Sequence, residues 1–560
     1  GSLMTACDIL GRLEGIRERG GKVLLVDPRR NETARYVDEH HFIRPGTDAL
    51  FLIGLIRHII DRDLCDPAHL SQYIDDWDGL LALFRQFPMT DVSEHCGIPQ
   101  AEIERIAEAF AAADRAVCYG RMGVATQSYG TLNHWLINVL NMITGNLDRP
   151  GGAMFTNPAF HKALDRRSGS FGTYHSRVRG LPEFSSSLPS ATMAEEMTTP
   201  GEGQIQALVC VAGNPALSTP NGGLMEQGLA GLKYMVSVDF YLNETSRHAD
   251  LILPPTGPLE HEQYDIVFNL LAVRNLARYS GPLFEHSPDS RSDWEILQGL
   301  IARLTHYKSG KPGPFRMPDL PSPEQILDKG LQTGPYSERF TDYNSGEPVE
   351  HEEGLSLDVL RRYPHGLDLG PLQPQFPGYL FTPDQKIQAR PAVVVDDLQR
   401  LLAEFGGSEG GSSNLRLIGR RDLRTNNSWM HNSQRLAKGR DRCALFMHPD
   451  DAARHGVTDG GGVRVATRAG EVITSVRLTT DIMPGVVSLP HGWGHDREGV
   501  ALRVASAHAG VNANDVTDNL AIDALSGNAA FNGIPVQVSP VDNGTAAVPT
   551  NQQEPLLAEK

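Results

Sequence analysis

The stretch GKVLLVDPRRNETARYVDEHHFIRPGTD, residues 21–48, decides which fold we predict. Residues 22–26 form a short apolar run, and Asp27 and Pro28 follow it directly. Because proline cannot donate to a β-ladder, this pattern predicts a buried parallel strand that ends before residue 28. Ligands of open α/β sheets bind at the carboxyl ends of the strands, where a carboxylate can hold a ribose hydroxyl and a guanidinium a phosphate. Asp27, Arg29 and Arg30 are therefore candidate ligand-binding residues.

A second candidate loop lies at the end of the same stretch. Gly46, Thr47 and Asp48 precede a predicted helix, which Thr47 or Asp48 can cap. The apolar stripe of this helix comprises Leu52, Ile53, Ile56, Ile59 and Ile60. A helix start presents free backbone amides to an anion. The alternative is an ordinary Rossmann-like strand and helix with surface charges, because no glycine-rich phosphate fingerprint accompanies them.

Composition and charge narrow the class of protein. The chain has 560 residues, 40% hydrophobic and 21% charged, as in ordinary globular proteins of two to four domains. The net charge of −17 argues against nucleic-acid and anionic-membrane partners, and no apolar run approaches the roughly 20 residues of a membrane helix. The six cysteines lack metal-ligand spacing, so we expect buried thiols, a reducing cytoplasmic compartment and no metal held by cysteine.

Alternating strands and helices predict a Rossmann-like, doubly wound α/β domain at residues 1–155. Its helices are expected at residues 3–19, 97–113 and 132–143, and its second strand at residues 116–119. Residues 156–405 are predicted to form a second parallel-sheet α/β domain with long loops, the longest at residues 165–200. Its strands are expected at residues 205–211, 234–238 and 249–253.

The pattern changes after a Gly/Ser-rich linker at residues 405–413. Five short strands have the spacing of a barrel, at residues 415–418, 444–447, 462–467, 471–478 and 485–489, with one helix at residues 449–455. We therefore predict a C-terminal β-barrel domain at residues 414–540 and a flexible tail at residues 541–560.

Three further features could carry chemistry. The strand ends at Asn214-Pro215 and Asp239 are consistent with another ligand-facing sheet edge, although turn chemistry alone is the simpler explanation. The barrel contains RRDLRTNNSWMHN at residues 420–432, where arginines could clamp a diphosphate and Trp429 could wall a heterocycle; a solvated basic loop is the alternative. His491 and His495 have the spacing of a helical metal pair, but the intervening glycines make zinc the weaker interpretation.

The order of these motifs resembles one family, the molybdopterin oxidoreductases of the dimethyl sulfoxide reductase superfamily. The matching segments cover nearly the whole chain. They are VLLVDPRRNETA at 23–34, IRPGTD at 43–48, GVATQ at 123–127, MITGNLDRPGG at 142–152, AGNP at 212–215, VSVDFYLNETSRHADLILPP at 236–255, LRTNNSWMHN at 423–432, HPDDAARHGVTDGGGVRV at 448–465 and GVVSLPHGWGH at 485–495.

The resemblance implies a double-psi-like barrel and a bis(molybdopterin guanine dinucleotide) cofactor carrying molybdenum or tungsten. On the α/β side, the implied cofactor-binding residues are Asp27, Arg29, Arg30, Asn31, Gly46, Thr47, Asp48, Gly123, Gln127, Asn214, Pro215, Asp239 and Asp293. On the barrel side they are Arg420, Arg424, Thr425, Asn426, Asn427, Ser428, Trp429, His431, Asn432, His491, Asn514 and Asn532. We name no catalytic residue and no metal ligand.

The chain also departs from the family pattern. Members of the family usually begin with a four-cysteine 4Fe-4S segment and a Cys, selenocysteine or Ser that ligates the metal, and this sequence contains neither. We therefore predict a C-terminal fragment, inactive alone, of a longer polypeptide. Residues 155–167 lack the Arg-Gly-Gln-Asn-like stretch of formate dehydrogenases, which argues against formate as substrate. His161, Arg166 and Arg167 could line a substrate funnel or lie in a surface loop.

The predicted activity is a two-electron oxidation or reduction of a small molecule, with an electron-transfer protein as partner. One alternative is a non-catalytic homologue, such as an iron–sulfur electron-transfer subunit of the same fold. The retained 420–432 motif argues against this alternative, because an empty site has no use for it. A non-redox hydratase or transhydroxylase is a further alternative, since those reactions use the same cofactor-binding residues.

Overall fold

The predicted first strand lies in a two-stranded parallel sheet. We describe a computed structural model of the chain at residues 8–160, 169–310, 315–405, 415–439 and 441–541. Strand β1 (Leu24–Val26) pairs in parallel with β2 (Glu39–His41). Several predicted features lie outside the described residues. They are all but the first residue of the predicted linker, all but the first residue of the predicted tail, and His161, Arg166 and Arg167.

Seven α-helices and one two-stranded sheet make up the described part of residues 1–155, so the doubly wound Rossmann-like domain stays a prediction. The helices are α1 (Ile9–Glu18), α2 (Asp48–Asp61), α3 (Trp77–Phe84), α4 (Met89–Cys96), α5 (Gln100–Ala112), α6 (Met122–Ala125) and α7 (Gly130–Ile143). The predicted stripe of α2 is confirmed, because all five of its residues are buried. Residues 49–56 are in fact buried all around the helix, since α4, α5 and α7 pack against it. A helix buried on every side forms the centre of the first core.

The predicted strand at residues 116–119 is wrong. The backbone N–H groups of Ala116 and Cys118 donate to the side chains of Asn146 and Asn141 over 3.1 and 2.9 Å, and Asn141 Nδ2 donates back to the Cys118 carbonyl. Both asparagines are buried beside α7. Since side chains already satisfy these backbone groups, the segment does not extend the β1–β2 sheet.

The second unit contains a three-stranded parallel sheet. Strand β5 (Ala207–Val211) pairs with β6 (Tyr234–Val238), which pairs with β7 (Leu251–Ile252). All three predicted strands are therefore present, the last shorter than predicted. The predicted long loop contains a hairpin, β3 (Phe171–His175) with β4 (Pro182–Phe184), and helix α8 (Met193–Thr198).

The remaining elements of this unit are short antiparallel pairs and helices. The helices are α9 (Pro215–Ser218), α10 (Gly222–Ala230), α11 (Asp293–Lys308), α12 (Pro323–Leu331), α13 (Leu357–Arg361) and α14 (Ala392–Phe405). The strand pairs are β8 (Gln263–Tyr264) with β10 (Tyr279–Ser280), β9 (Arg274–Ala277) with β13 (Leu367–Pro371), and β11 (Phe340–Asp342) with β12 (Val349–His351). Helix α14 packs into the first core through Leu398 and Leu401.

Six strands of the C-terminal region close into a barrel. They are β14 (Leu415–Arg420), β15 (Ala444–Met447), β16 (Gly462–Ala466), β17 (Glu471–Leu478), β18 (Val486–Pro490) and β19 (Ile534–Pro540), in the order β14-β18-β15-β17-β16-β19. Two of the pairs, β14–β18 and β15–β17, are parallel and the other pairs are antiparallel. The barrel prediction is confirmed, although its last strand was not predicted. Two prolines in IPVQVSP concealed the alternation of the buried residues Ile534, Val536 and Val538.

The helices between the barrel strands are short. They are α15 (Gln434–Ala437), α16 (Pro449–His455) and α17 (Arg503–Ser506). Among the described residues, no helix combines the length and apolarity needed to cross a membrane.

Candidate functional site

The loop after β1 is closed by the side chain of Asp27. Asp27 accepts hydrogen bonds from the Arg29 backbone N–H over 2.8 Å and from Asn31 Nδ2 over 2.7 Å. Asn31 in turn accepts from the Thr33 backbone N–H over 2.9 Å. Burial raises the pKa of Asp27. The loop therefore holds a partly buried carboxylate at the carboxyl end of a strand. Ligands of open α/β sheets bind at this end of the strands.

The loop after β6 repeats this arrangement. Asp239 accepts from the Tyr241 backbone N–H over 3.0 Å and from Asn243 Nδ2 over 2.8 Å, and Asn243 accepts from the Thr245 backbone N–H over 3.0 Å. The sequences VDPRRNETAR at residues 26–35 and VDFYLNETSR at residues 238–247 share the pattern VDxxxNETxR. The sequence analysis predicted Asp27 and Asp239 separately and missed this internal repeat, although the repeat is visible in the sequence alone. The chain thus carries two copies of one strand-end loop.

Asp48 lies beside the first of these loops. Gln127 donates from Nε2 to Asp48 Oδ2 over 2.6 Å and to the Gly123 carbonyl over 2.7 Å. Burial raises the pKa of Asp48 to about 6, and the neighbouring charge of Asp27 adds to the increase. Within the described part of the chain, Asp48 forms no ion pair. Two buried carboxylates that repel each other favour a ligand with several N–H donors or a cation.

Replacing Asp48 by asparagine tests whether burial raises the pKa of Asp48, because the effect of the substitution on stability should depend on pH. Because the folded state raises the pKa of Asp48 from about 4 to about 6, its ionisation costs folding stability as pH rises through this window, by about 3 kcal/mol at most. Asp48→Asn should therefore raise the melting temperature of the ligand-free chain by a few degrees at pH 7.5 and leave it nearly unchanged at pH 4. Scanning fluorimetry at both pH values, with the exposed Asp114→Asn as control, measures the difference. Equal shifts at the two pH values would contradict the assignment.

The neighbouring turn completes the first group of predicted residues. Gly46 has a φ of +91°, and an added Cβ there would have no neighbour within 4 Å, so the backbone is open to a ligand. Thr47 lies at the N-cap position just before α2, but its hydroxyl donates to the Arg44 carbonyl over 2.8 Å instead of capping the helix. Arg29 pairs with Glu32 over 3.2 Å, and the Arg30 guanidinium lies over the Phe42 ring.

The barrel docks against both copies of the loop. At the first copy, Arg30 N–H donates to the Asp481 carbonyl over 2.7 Å and Met483 N–H to the Pro28 carbonyl over 3.2 Å. At the second, Ala501 N–H donates to the Leu242 carbonyl over 2.9 Å. Each strand-end loop therefore forms one wall of a junction whose other wall is the same barrel.

Asn532 and Asn514 hold these two junctions together. Asn532 accepts from Gly419 N–H over 3.1 Å and donates to the Thr126 hydroxyl over 2.7 Å, which ties the barrel to α6. Asn514 donates to the Leu217 carbonyl over 2.7 Å, which ties it to α9, the short helix that begins after Asn214 with Pro215. The side-chain oxygen and amide nitrogen of both asparagines are engaged in hydrogen bonds, which hold the barrel against the two α/β units.

The Arg420 side chain is bonded to the wall of the barrel. Its guanidinium donates to the carbonyls of Ser488, Arg442 and Ala444 over 2.6, 3.1 and 2.6 Å and lies 3.7 Å from the centre of the Phe446 ring. Burial lowers the pKa of Arg420 to about 9, which leaves it charged at neutral pH. The geometry gives Arg420 a structural role in the barrel wall, and its implied role in binding the cofactor stays a prediction.

The rest of the 420–432 loop is partly open and partly anchored. Asn426 and Asn427 both have positive φ, 41° and 62°, and Arg421 donates to the Asn427 side chain. Arg424 and Trp429 are exposed and Ser428 is half-buried, so these three remain available to a ligand. Thr425 is buried, and its hydroxyl donates to the Asp422 carbonyl. The Asn432 side chain accepts hydrogen bonds from the backbone N–H groups of Val504 and Ala505. Backbone strain at two asparagines indicates a loop held in one shape.

His431 begins a chain of buried polar side chains. His431 Nδ1 lies 2.6 Å from His495 Nε2, and His495 Nδ1 lies 2.8 Å from Glu244 Oε1. Glu244 Oε2 accepts from Asn214 Nδ2 over 2.7 Å. We call these four residues the Glu244 chain. His495 is engaged by His431 and Glu244. Burial lowers the pKa of His491 to about 4.

Three of the buried side-chain atoms that lack a protein partner in the described residues lie on Asp293, His431 and Trp493. Asp293 is the first residue of α11, and its Oδ1 is buried without a hydrogen bond. The neighbouring backbone is bonded to the segment after β7, since Thr256 N–H donates to the Arg291 carbonyl over 3.0 Å. The other two of these atoms are His431 Nε2 and Trp493 Nε1. Unsatisfied buried polar atoms are costly, so they mark places where a ligand or water binds.

A metal site built from side chains receives little support. In the described ranges, one group of three potential ligands is close enough to share an ion, namely Glu39, His41 and Glu102. Arg105 forms ion pairs with both glutamates. A guanidinium in this position already neutralises the carboxylates that a metal would need.

The architecture defines the class as an α/β protein whose strand-end loops close against a β-barrel. The chain belongs to the molybdopterin oxidoreductase family. Residues 13–303 match the family model "Molybdopterin oxidoreductase", and residues 415–535 match the model "Molydopterin dinucleotide binding domain".

Similar proteins agree with this assignment. The dimethyl sulfoxide/trimethylamine N-oxide reductase of Rhodobacter capsulatus is 22% identical over 544 residues, which cover 86% of this chain and 62% of that protein. A putative formate dehydrogenase of Staphylococcus aureus strain MRSA252 is 26% identical over 363 residues, which cover 61% of this chain and 35% of that protein. The chain thus spans less than two thirds of the length of these relatives. Acetylene hydratase from Pelobacter acetylenicus has the same fold, with a TM-score of 0.70 at 18% identity over 94% of this chain and 75% of that one.

Proposed function

We propose that this chain holds a bis(molybdopterin guanine dinucleotide) cofactor with molybdenum or tungsten and serves an oxidoreductase that moves two electrons to or from a small substrate. The observation that carries this proposal is the repeated loop. Two copies of VDxxxNETxR end parallel strands, and one barrel docks against both. A cofactor made of two like halves requires such a pair of like sites.

The residues present fit the guanine ends of this cofactor. Guanine offers adjacent N–H donors. Asp48 and Asp27 offer carboxylate oxygens as acceptors, and burial raises the pKa of both carboxyl groups. At the second copy, Asp239 takes the place of Asp27, and Asp293 has a buried oxygen without a partner. Hydrogen bonds donated by a ligand would lower the free-energy cost of keeping these buried carboxylates ionised. Gly46 and Gly123 leave space beside them, because a Cβ at either would meet no atom within 4 Å.

The residues of the barrel fit the pterin and diphosphate parts. Arg424, Asn427 and Trp429 are exposed on the strained loop, and His431 and Trp493 each present an unpartnered ring nitrogen. When bound, the cofactor supplies the two-electron redox chemistry, while the chain orients it and sets the charges around it.

Further parts of the function follow from the family assignment as proposals. We propose that a metal-ligating residue and a 4Fe-4S segment are supplied from outside the residues of this chain, and that an electron-transfer protein is the redox partner. The predicted cytoplasmic location and the three-domain division at residues 155 and 405 also stay predictions.

Metal and pterin analysis tests the proposed function. The chain would be produced in a bacterial host that makes this cofactor and purified without denaturation. The expected result is molybdenum or tungsten, guanine and pterin bound together, with two guanines and two pterins for each metal atom. A preparation that contains none of the three, together with failure of the purified chain to bind guanosine diphosphate, would refute the proposal.

A further inference from the structure

Residues 126–129 form a turn between α6 and α7, which we call the Gln127 turn. Gln127 is buried, and its Nε2 donates to Asp48 Oδ2 over 2.6 Å. The backbone is tightly packed where the turn enters α7, because a Cβ at Gly130 would lie 2.1 Å from the Ala125 carbonyl oxygen. The position of this turn therefore decides whether Gln127 reaches Asp48.

Helix α14 contacts the Gln127 turn through Arg400. Arg400 Nη2 donates to the Ser128 carbonyl over 3.0 Å, and its Cζ lies 4.0 Å from the centre of the Tyr129 ring. Tyr129 is buried, and its hydroxyl donates to Glu404 of the same helix. A guanidinium over an aromatic ring adds an attraction to that of the hydrogen bond. Arg400 thus contacts both of the residues that follow Gln127.

The Arg400 side chain is itself held in one orientation. Arg400 Nε donates to Asp397 Oδ1 over 2.7 Å, and both residues belong to α14. Asp397 is 4% exposed, so its carboxylate is fixed inside the protein. The donors of a guanidinium lie in one plane with fixed angles between them. With Nε bound to Asp397, the remaining donors of Arg400 point toward the Gln127 turn.

The barrel holds both ends of the same segment. Asn532 donates from its backbone N–H to the Thr126 carbonyl over 3.2 Å and from Nδ2 to the Thr126 hydroxyl over 2.7 Å. Asp523 accepts from the backbone N–H and the hydroxyl of Thr131. The barrel region therefore fixes residues 126 and 131, and α14 fixes the two residues at the centre.

We propose that Arg400 is a positioning residue of the nucleotide site at Asp27 and Asp48. By holding the Gln127 turn against α14, Arg400 keeps Gln127 hydrogen-bonded to Asp48. The inference rests on the proposed function for the identity of the ligand. The dependence of the contact between Gln127 and Asp48 on Arg400 involves residues of this chain alone, so it can be tested without a ligand.

The contact with Gln127 affects the charge of Asp48. Burial raises the pKa of Asp48 to about 6, and the hydrogen bond from Gln127 opposes this effect. Loss of the bond would raise the pKa of Asp48 further and make its ionisation at neutral pH more costly. Two other titratable groups interact with Asp48. The charge of Asp27 raises the pKa of Asp48, whereas the Cys96 thiol of α4 is un-ionised at neutral pH because burial raises its own pKa to about 11.

A cycle of substitutions in the ligand-free chain tests the role of Arg400. At pH 7.5, Asp48→Asn should raise the melting temperature by about 2 °C more in the Arg400→Met background than in the wild type, because ionised Asp48 has lost a hydrogen bond. At pH 4, Asp48 is protonated in both backgrounds, so the two increases should agree. Scanning fluorimetry measures all four proteins. A merely structural role of Arg400 would lower both members of each pair equally.

Arg390→Met is the matched control. The side chains of Arg390 and Arg400 are 35% and 38% exposed, and each pairs with an aspartate, which for Arg390 is Asp76. In the Arg390→Met background, Asp48→Asn should give the wild-type increase at pH 7.5. Equal increases in the Arg400→Met background and the wild type at pH 7.5 would overturn the inference. If circular dichroism shows that Arg400→Met does not fold, Asp397→Asn replaces it with the same expectations, since it removes the ionic partner of Arg400.

Titration calorimetry with guanosine diphosphate tests the effect on the ligand. Arg400→Met should weaken binding at one of the two sites by about tenfold at pH 7.5, and Arg390→Met should bind like the wild type. Wild-type affinity at both sites in a folded Arg400→Met protein would overturn the role of Arg400 in the nucleotide site. A wild-type chain that binds no guanosine diphosphate would instead count against the proposed function, and the melting temperatures would still decide whether Arg400 positions Gln127.

Discussion

Replacing Asp27 and Asp239 together by alanine is expected to weaken binding of guanosine diphosphate at each of the two sites by about tenfold to a hundredfold. Each carboxylate lies at a strand end, and its four lone-pair sites are only partly used by its own loop. A hydrogen bond to a charged group contributes about 1.5–3 kcal/mol, so the loss of one acceptor at each site corresponds to about one to two orders of magnitude in affinity at that site. Titration calorimetry of the purified chain with guanosine diphosphate measures the effect.

The control must remove the same charge without touching the loops. Asp114 and Asp358 have side chains that are 83% and 88% exposed, so Asp114→Ala with Asp358→Ala changes the net charge equally. This control pair should bind with nearly wild-type affinity. Circular dichroism should show that the Asp27→Ala, Asp239→Ala protein keeps its secondary structure. Unchanged affinity in that folded protein would show that the nucleotide ends lie elsewhere.

Replacing Arg420 by methionine is expected to destabilise the barrel by about 3–5 kcal/mol. The methionine would fill part of the volume, but three carbonyls of the barrel wall would lose their donor, and the contact with Phe446 would be lost. Hydrogen exchange of β14, β15 and β18 amides measures stability locally, which suits a protein of several domains. Protection of these amides should fall by at least a hundredfold.

Arg424→Met provides the comparison. Arg424 lies on the same loop but is exposed, and its guanidinium reaches one carbonyl, that of Lys438, over a long 3.4 Å. Its loss should change barrel protection by less than a few tenths of a kcal/mol. Equal exchange rates in the two variants would show that Arg420 is not part of the barrel wall.

Local sequence patterns predicted the elements that depend on short-range order. The apolar stripe of α2, strand β6, the helix α16 and five barrel strands follow from periodicity and turn residues near each of them. Failures occurred where a distant side chain decided the outcome. Residues 116–119 have the composition of a strand, but Asn141 and Asn146 take their backbone hydrogen bonds. The last barrel strand was concealed by its prolines and is defined by its pairing with β14 and β16.

For the candidate site too, some features could be predicted from local sequence and others depend on tertiary structure. The sequence alone determined which residue types end the strands, and its motif order was sufficient to indicate the family, because these features lie in contiguous segments. It could not distinguish Arg420 from Arg424, since both belong to one basic run and only the closed barrel buries the first. Nor could it join Glu244 to His431, which lie almost two hundred residues apart in the chain. Only the tertiary structure decided these roles, because burial and hydrogen-bond geometry depend on which surfaces meet when the barrel docks against the two loops.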